Sequence, residues 1–112
     1  MVTGSDNHVL VVHLPTRVTD EWITQIRNEV ETRLPPLRGA GLVLDFENVS
    51  LINSLGITCL LNLEELCKKR GAGMRLANVP PVIHEFLKRV KLHNRYPSSP
   101  SIDEAVATFR FD

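Results

Sequence analysis

The chain of 112 residues has few aromatic side chains, 5% of the total, and no net charge, with 13 Lys and Arg against 13 Asp and Glu. Without an excess of positive charge, and with no basic run longer than Lys68-Lys69-Arg70, it offers no electrostatic case for binding nucleic acid. No apolar stretch approaches the roughly 20 residues that cross a bilayer, so no membrane insertion is expected. The polar start Met1–Asn7 lacks the positive and then apolar segments of a secretory signal. A cytoplasmic protein is therefore expected, and the sequon Asn48-Val49-Ser50 carries no weight. Only two cysteines are present. Cys59 and Cys67 fall two turns apart on one expected helix, form no C-x-x-C pair and cannot easily bridge, so both are read as reduced and near the core.

Catalytic and cofactor signatures are missing too. No G-x-x-x-x-G-K-[ST] loop occurs, and Gly71-Ala72-Gly73 follows a helical pattern and opens a strand, the reverse of a dinucleotide fingerprint. Ser54 lies outside any G-x-S-x-G elbow. His8, His13, His84 and His93 are scattered without metal-ligand spacing on one element, and His84 reads as a solvated surface side chain. Asp45 ends an apolar strand, where a buried acid could do chemistry, but no partner acid, His or Lys is evident in the sequence. No enzyme, metal site or cofactor is expected.

What is present is an aliphatic core, with hydrophobic residues at 43%, arranged in alternating periods. His8–Leu14 is a β-branched strand. Thr19 then reads as an N-cap, with Asp20 and Glu21 in the first turn and Trp22, Ile23, Ile26, Val30 and Leu34 on one stripe; Pro35-Pro36 stops that helix. Gly41–Phe46 is a nearly continuous apolar run, as in a central strand covered on both faces. A helix begins near Ser54, with Ile57, Leu60, Leu61, Leu63 and Leu66 on its apolar side, Lys68–Arg70 at its end and Gly71 as a left-handed cap. Gly73–Asn78 is the next strand. Asn78 and Pro80-Pro81 open a third helix with Val82, Ile83, Phe86, Leu87 and Val90 as its stripe. A short strand is expected near Arg95-Tyr96, and the capping box Ser101-x-x-Glu104 starts a last helix. The order predicts one α/β domain over 1–112, core about 8–110, with a four- to five-stranded mixed sheet and helices packed mainly on one side.

The informative stretch is Leu42–Gly56, where a buried strand leads through a loop to Ser54 at a helix start. Unpaired N–H groups and the positive dipole end meet there, a natural seat for phosphate. On chemistry alone Ser54 is either the N-cap of that helix or a modifiable hydroxyl.

Val43-Leu44-Asp45-Phe46, Val49 and Ile52-Asn53-Ser54-Leu55-Gly56-Ile57 resemble the signature of STAS domains, and of anti-sigma-factor antagonists among them. Gly71–Leu76 resembles the family's G-x-x-L strand, and Ser101–Ala105 its s-x-x-E-A ending, so the likeness runs from about Val9 to Phe109. The resemblance implies partner switching. The unphosphorylated protein binds an anti-sigma factor that is also a serine kinase, freeing the sigma factor; phosphorylation at the position of Ser54 ends binding, and a metal-dependent serine phosphatase reverses it. It places the partner-binding surface at Asn53, Ser54, Leu55 and Gly56, with Arg17 and Thr19 from the first loop. Asn53 stands where the family has Asp, Leu55 where it has Ser or Thr, and Thr16-Arg17-Val18-Thr19 where it often has Gly-[Arg/Glu]-Leu-Asp. These departures leave open an altered partner, a lost phosphorylation cycle, or a STAS scaffold subunit without sigma control, in a lipid-trafficking ABC system or a sensory assembly.

Overall fold

The computed structural model describes residues 3–6, 8–34 and 39–109. In chain order the elements are β1 (Thr3–Asp6), β2 (Val9–His13), β3 (Arg17–Val18), α1 (Asp20–Arg33), β4 (Gly41–Asp45), β5 (Leu51–Ile52), α2 (Ser54–Lys69), β6 (Gly73–Ala77), α3 (Pro81–Arg89), β7 (Ser98–Ser99) and α4 (Ile102–Ala107). Five strands form one mixed sheet in the order β1-β2-β4-β6-β7, with β1 antiparallel to β2 and the other pairs parallel. β3 and β5 form a separate parallel pair.

Period-two alternation divides the core. Leu10, Val12, Leu42, Leu44, Met74 and Leu76 face Ile26 and Val30 of α1, Leu60 and Leu63 of α2, and Ile83 and Leu87 of α3. Val9, Val11, Val43 and Ala77 point the other way, under Ala105, Val106 and Phe109 at the α4 end. Three helices on one face and one on the other is the expected layering. Both cysteines are buried and free, and burial pushes each thiol up to about 11. Gly41 and Gly73 are register partners, and a Cβ on either would come within 2.8 Å of the Phe109 ring, so the paired glycines form the floor on which that ring lies. The Arg75 guanidinium stands 4.6 Å from the ring centroid.

The structure corrects several local readings. β1 falls in the start that reads as merely polar. Its partner is β2, and such ladder bonds need no apolar side chains. The short last strand is Ser98–Ser99 rather than Arg95-Tyr96, whose Tyr96 turns into the core instead. The third helix starts at Pro81, and Asn78 takes a left-handed φ of 56° before it. Val82 and Val90 are exposed, so the buried stripe of α3 narrows to Ile83 and Leu87 with Phe86 half-buried. Leu61 of α2 is also exposed. Thr19 precedes α1 but its side chain makes no cap hydrogen bond. The stop at Pro35-Pro36 lies outside the described residues.

Two helices end in the same six-residue lock. After α2, the N–H of Gly71 (φ 69°) donates to Lys68 O and that of Ala72 to Cys67 O. After α3, Lys91 (φ 61°) donates to Lys88 O and Leu92 to Leu87 O. Glycine takes that backbone freely, whereas an L side chain is strained by about 1 kcal/mol. Lys91→Gly is therefore expected to stabilise the domain by about 1 kcal/mol, read as a higher urea midpoint at unchanged slope.

Candidate functional site

β3 and β5 pair in register, Arg17 with Leu51 and Val18 with Ile52, and each runs through a single residue, Thr19 or Asn53, into a helix. The pairing is anchored by the Thr16 carbonyl, which accepts from Ser50 N–H (2.8 Å), Leu51 N–H (3.2 Å) and Ser50 Oγ (3.3 Å). The starts of α1 and α2 therefore lie side by side, and the first loop is carried to the Ser54 segment.

The cap of α2 is Asn53, whose Oδ1 accepts from Gly56 N–H at 3.0 Å while its carbonyl accepts from Ile57 N–H. Ser54 is the first helical residue. It is exposed, and its hydroxyl has no hydrogen-bond partner among the described residues. The cap alternative for Ser54 thus falls to its neighbour, because the Asx side chain reaches the third N–H of the helix and the serine sits one residue too late to do so. One turn on, Thr58 Oγ1 donates to Ser54 O at 3.1 Å. No acidic residue occupies the first turn of α2, so its positive end is uncompensated by the helix's own side chains.

Around Ser54 the surface is apolar and open, with Leu51 42% and Leu55 48% exposed and Arg17 exposed on the paired strand. Asn53 is half-buried. Gly56 and Thr19 are buried beneath, so they shape the site from below. A Cβ on Gly56 would collide with the Val18 carbonyl and stand 2.6 Å from Ile52 Cγ1. Glycine is what lets α2 close onto the β3–β5 pair.

Beneath both loops lies a polar cluster that reading the sequence missed. His13 Nδ1 is 2.7 Å from Asp45 Oδ2, and Asp45 Oδ1 accepts from Asn78 Nδ2 and Glu47 N–H, each at 3.0 Å. The parallel register sets His13 beside Asp45, which is why a separation of 32 residues hid the pair. Asp45 is 4% exposed and the His13 side chain 37%. Burial works to raise the Asp45 pKa, but the hydrogen bonds from Asn78, His13 and Glu47 N–H, with the charge on His13, outweigh it and leave the carboxyl below its ordinary value. Among the described residues no cluster of three or more His, Cys, Asp or Glu could hold a metal ion, and no helix is long and apolar enough to cross a membrane.

Two outcomes follow from this geometry. Gly56→Ala is expected to destabilise the domain by about 2 kcal/mol, because overpacking against a backbone carbonyl costs about 1–3 kcal/mol and exceeds alanine's helix advantage of at most about 1. A urea titration checks the sign. The Asp45 contribution is complete above the ordinary carboxylate pKa of 3.8 and is lost as pH falls through the lower folded value. Asp45→Asn should cost about 1–3 kcal/mol at neutral pH. It should also flatten the loss of stability below about pH 4, as measured by melting across pH.

Comparison with known proteins places this geometry. A model of the STAS domain matches residues 1–105. No curated protein matches the chain. Among solved structures, an anti-sigma-factor antagonist (STAS) domain protein from Planctomyces limnophilus is 18% identical with a TM-score of 0.84, covering 97% of this chain and 96% of that one. A sulfate transporter family protein from Wolinella succinogenes is 19% identical (TM-score 0.74, 93% and 86% covered). The anti-sigma factor antagonist SpoIIAA in its unphosphorylated form is 18% identical (TM-score 0.73, 96% and 93% covered). At such identities the structures share the fold alone. Because the STAS model spans residues 1–105, nearly the whole chain, the chain belongs to the STAS domain family.

Proposed function

We propose that this chain is an anti-sigma-factor antagonist, a protein-binding switch set by Ser54. With Ser54 unmodified it binds an anti-sigma factor that is also a serine kinase, through Arg17, Asn53, Ser54 and Leu55, with Gly56 and Thr19 shaping the surface from beneath. Phosphorylation releases the partner and a serine phosphatase resets the switch, so that sigma-dependent transcription follows the state of one hydroxyl. The observation that carries this reading is that Ser54 is exposed and unengaged while Asn53 does the capping. The serine is thereby relieved of any structural duty.

Electrostatics gives the expected sign of the effect. A phosphate adds about −1.5 to −2 charges, next to the open N–H groups and positive end of α2, where the fold tolerates or mildly favours it. The penalty arises at the interface, where a partner shaped around a small neutral hydroxyl meets an unpaired charge. Asn53 departs from the motif's Asp, which could accept the same Gly56 N–H and would add charge beside the helix start.

A second reading, a STAS scaffold subunit without sigma control, is favoured by Asn53, which lacks the motif's acid, and by Leu55, which sets an exposed leucine where the motif otherwise has a hydroxyl. The two separate on one set of measurements. Ser54→Asp should melt with the wild type yet lose at least about a hundredfold in partner affinity, about 2.7 kcal/mol by calorimetry. Ser54→Ala should abolish labelling by the kinase and ATP, with mass spectrometry finding no phosphate on Ser50 or Thr58. Asn53→Asp should keep the fold, stabilise α2 by about 0.3–1 kcal/mol and shift the phosphorylation rate. Equal binding by Ser54→Asp and an unlabelled wild type would move the chain to the scaffold reading.

A further inference from the structure

Five large apolar side chains are exposed among the described residues. Leu51, Leu55 and Leu61 lie on β5 and α2, whereas Val82 (62% exposed) and Val90 (41%) lie at the start and at the C-cap of α3. With the half-buried Phe86 these valines stand at i, i+4 and i+8, a row about 12 Å long at 1.5 Å per residue. Ile83 and Leu87 already give α3 its contact with the core, so the row is a second apolar line, open to solvent at both ends. A row with that spacing is the ridge that packs between the rows of a second helix.

The charge around the row is mostly of one sign. Residues 81–95 contain Lys88, Arg89, Lys91 and Arg95 against the single acid Glu85. Arg95 is engaged by Glu64, but Lys88, Arg89 and Lys91 are exposed and in no ion pair among the described residues. Arg89, at i+3 from Phe86 and next to Val90, shares the face of the row. Lys91 is held beside it under strain. It fills the left-handed position (φ 61°) of the lock after α3, the place that Gly71 takes after α2. An exposed lysine kept in a backbone that favours glycine points to a use for its charge outside the fold.

We infer that α3 is a docking surface for an acidic amphipathic helix of a partner protein. The partner's aliphatic side chains cover Val82, Phe86 and Val90, and its carboxylates meet Arg89, Lys91 and Lys88. Charge complementarity selects this occupant. Three unpaired cations fall short of the about four to eight that recruit an anionic bilayer, and a second copy of α3 would set like charges against each other. The surface shares no residue with the Ser54 switch and stands or falls separately from it.

Amide chemical-shift titration of the full chain tests the surface. The probes are a synthetic helix with leucine on one face and glutamate on the other, the same peptide with lysine for glutamate, and vesicles of phosphatidylcholine and phosphatidylserine. The glutamate peptide should give saturable shifts centred on Val82, Phe86, Arg89, Val90 and Lys91, weakened by added salt. Val82→Ser and Val90→Ser, both exposed changes, should melt with the wild type and each weaken binding about tenfold. Lys91→Gly separates docking from folding, because it should raise the urea midpoint yet weaken binding several-fold. It carries the test if either valine variant disturbs the fold. No saturable shift with the glutamate peptide, equal binding of the lysine peptide, saturation by the vesicles instead, or full affinity in Lys91→Gly would overturn the surface.

Discussion

Asp45 is buried and yet charged because three donors converge on it from three parts of the chain. His13 ends β2, the Glu47 N–H opens the loop after β4, and Asn78 follows β6. One carboxylate therefore ties the C-terminal ends of the three central strands to the roots of two loops. Withdrawing a carboxylate from water is costly unless its lone pairs are met, so the cluster is stable only when all three segments are in place. The two loops it roots, through Leu14 and Phe46, are the ones that meet again as β3 and β5.

From that anchor the functional end is built by close backbone contacts. The Thr16 carbonyl holds the second loop against the first, the β3–β5 pair sets their register, and Gly56 lets α2 close onto the Val18 carbonyl. Ser54 thus stands on a platform whose position is fixed by main-chain atoms. The division of labour between neighbours matters here: Asn53 satisfies the helix, and Ser54 is left with a hydroxyl that the fold does not use. Under the proposed switch, a chemical change on that group would alter what a partner meets without altering where the chain runs.

α2 also joins two electrostatically different places. Its start has no acid in the first turn, whereas its last turn carries Lys68 and Lys69. A net charge of zero conceals this separation, because composition sums charges that the fold sorts by place. The acids Asp20 and Glu21 belong to the neighbouring start of α1, so the two adjacent helix ends differ in character although both follow a two-residue strand.

Local pattern determined the strands at Val9–His13, Gly41–Asp45 and Gly73–Ala77, the four helices, the left-handed Gly71 and the segment that carries Ser54. Each is encoded in a period, a cap residue or a motif of contiguous letters. Pattern could not show β1, β3, β5 or β7, since two- to four-residue strands owe their existence to a partner strand rather than to their own propensity. Nor could it pair His13 with Asp45, decide between Asn53 and Ser54 as the cap of α2, or turn Tyr96 into the core. Those outcomes depend on parallel register and on one-residue differences in where an element begins. Tertiary structure decides them because a hydrogen bond is set by distances of a few tenths of an ångström between residues that the chain itself holds far apart.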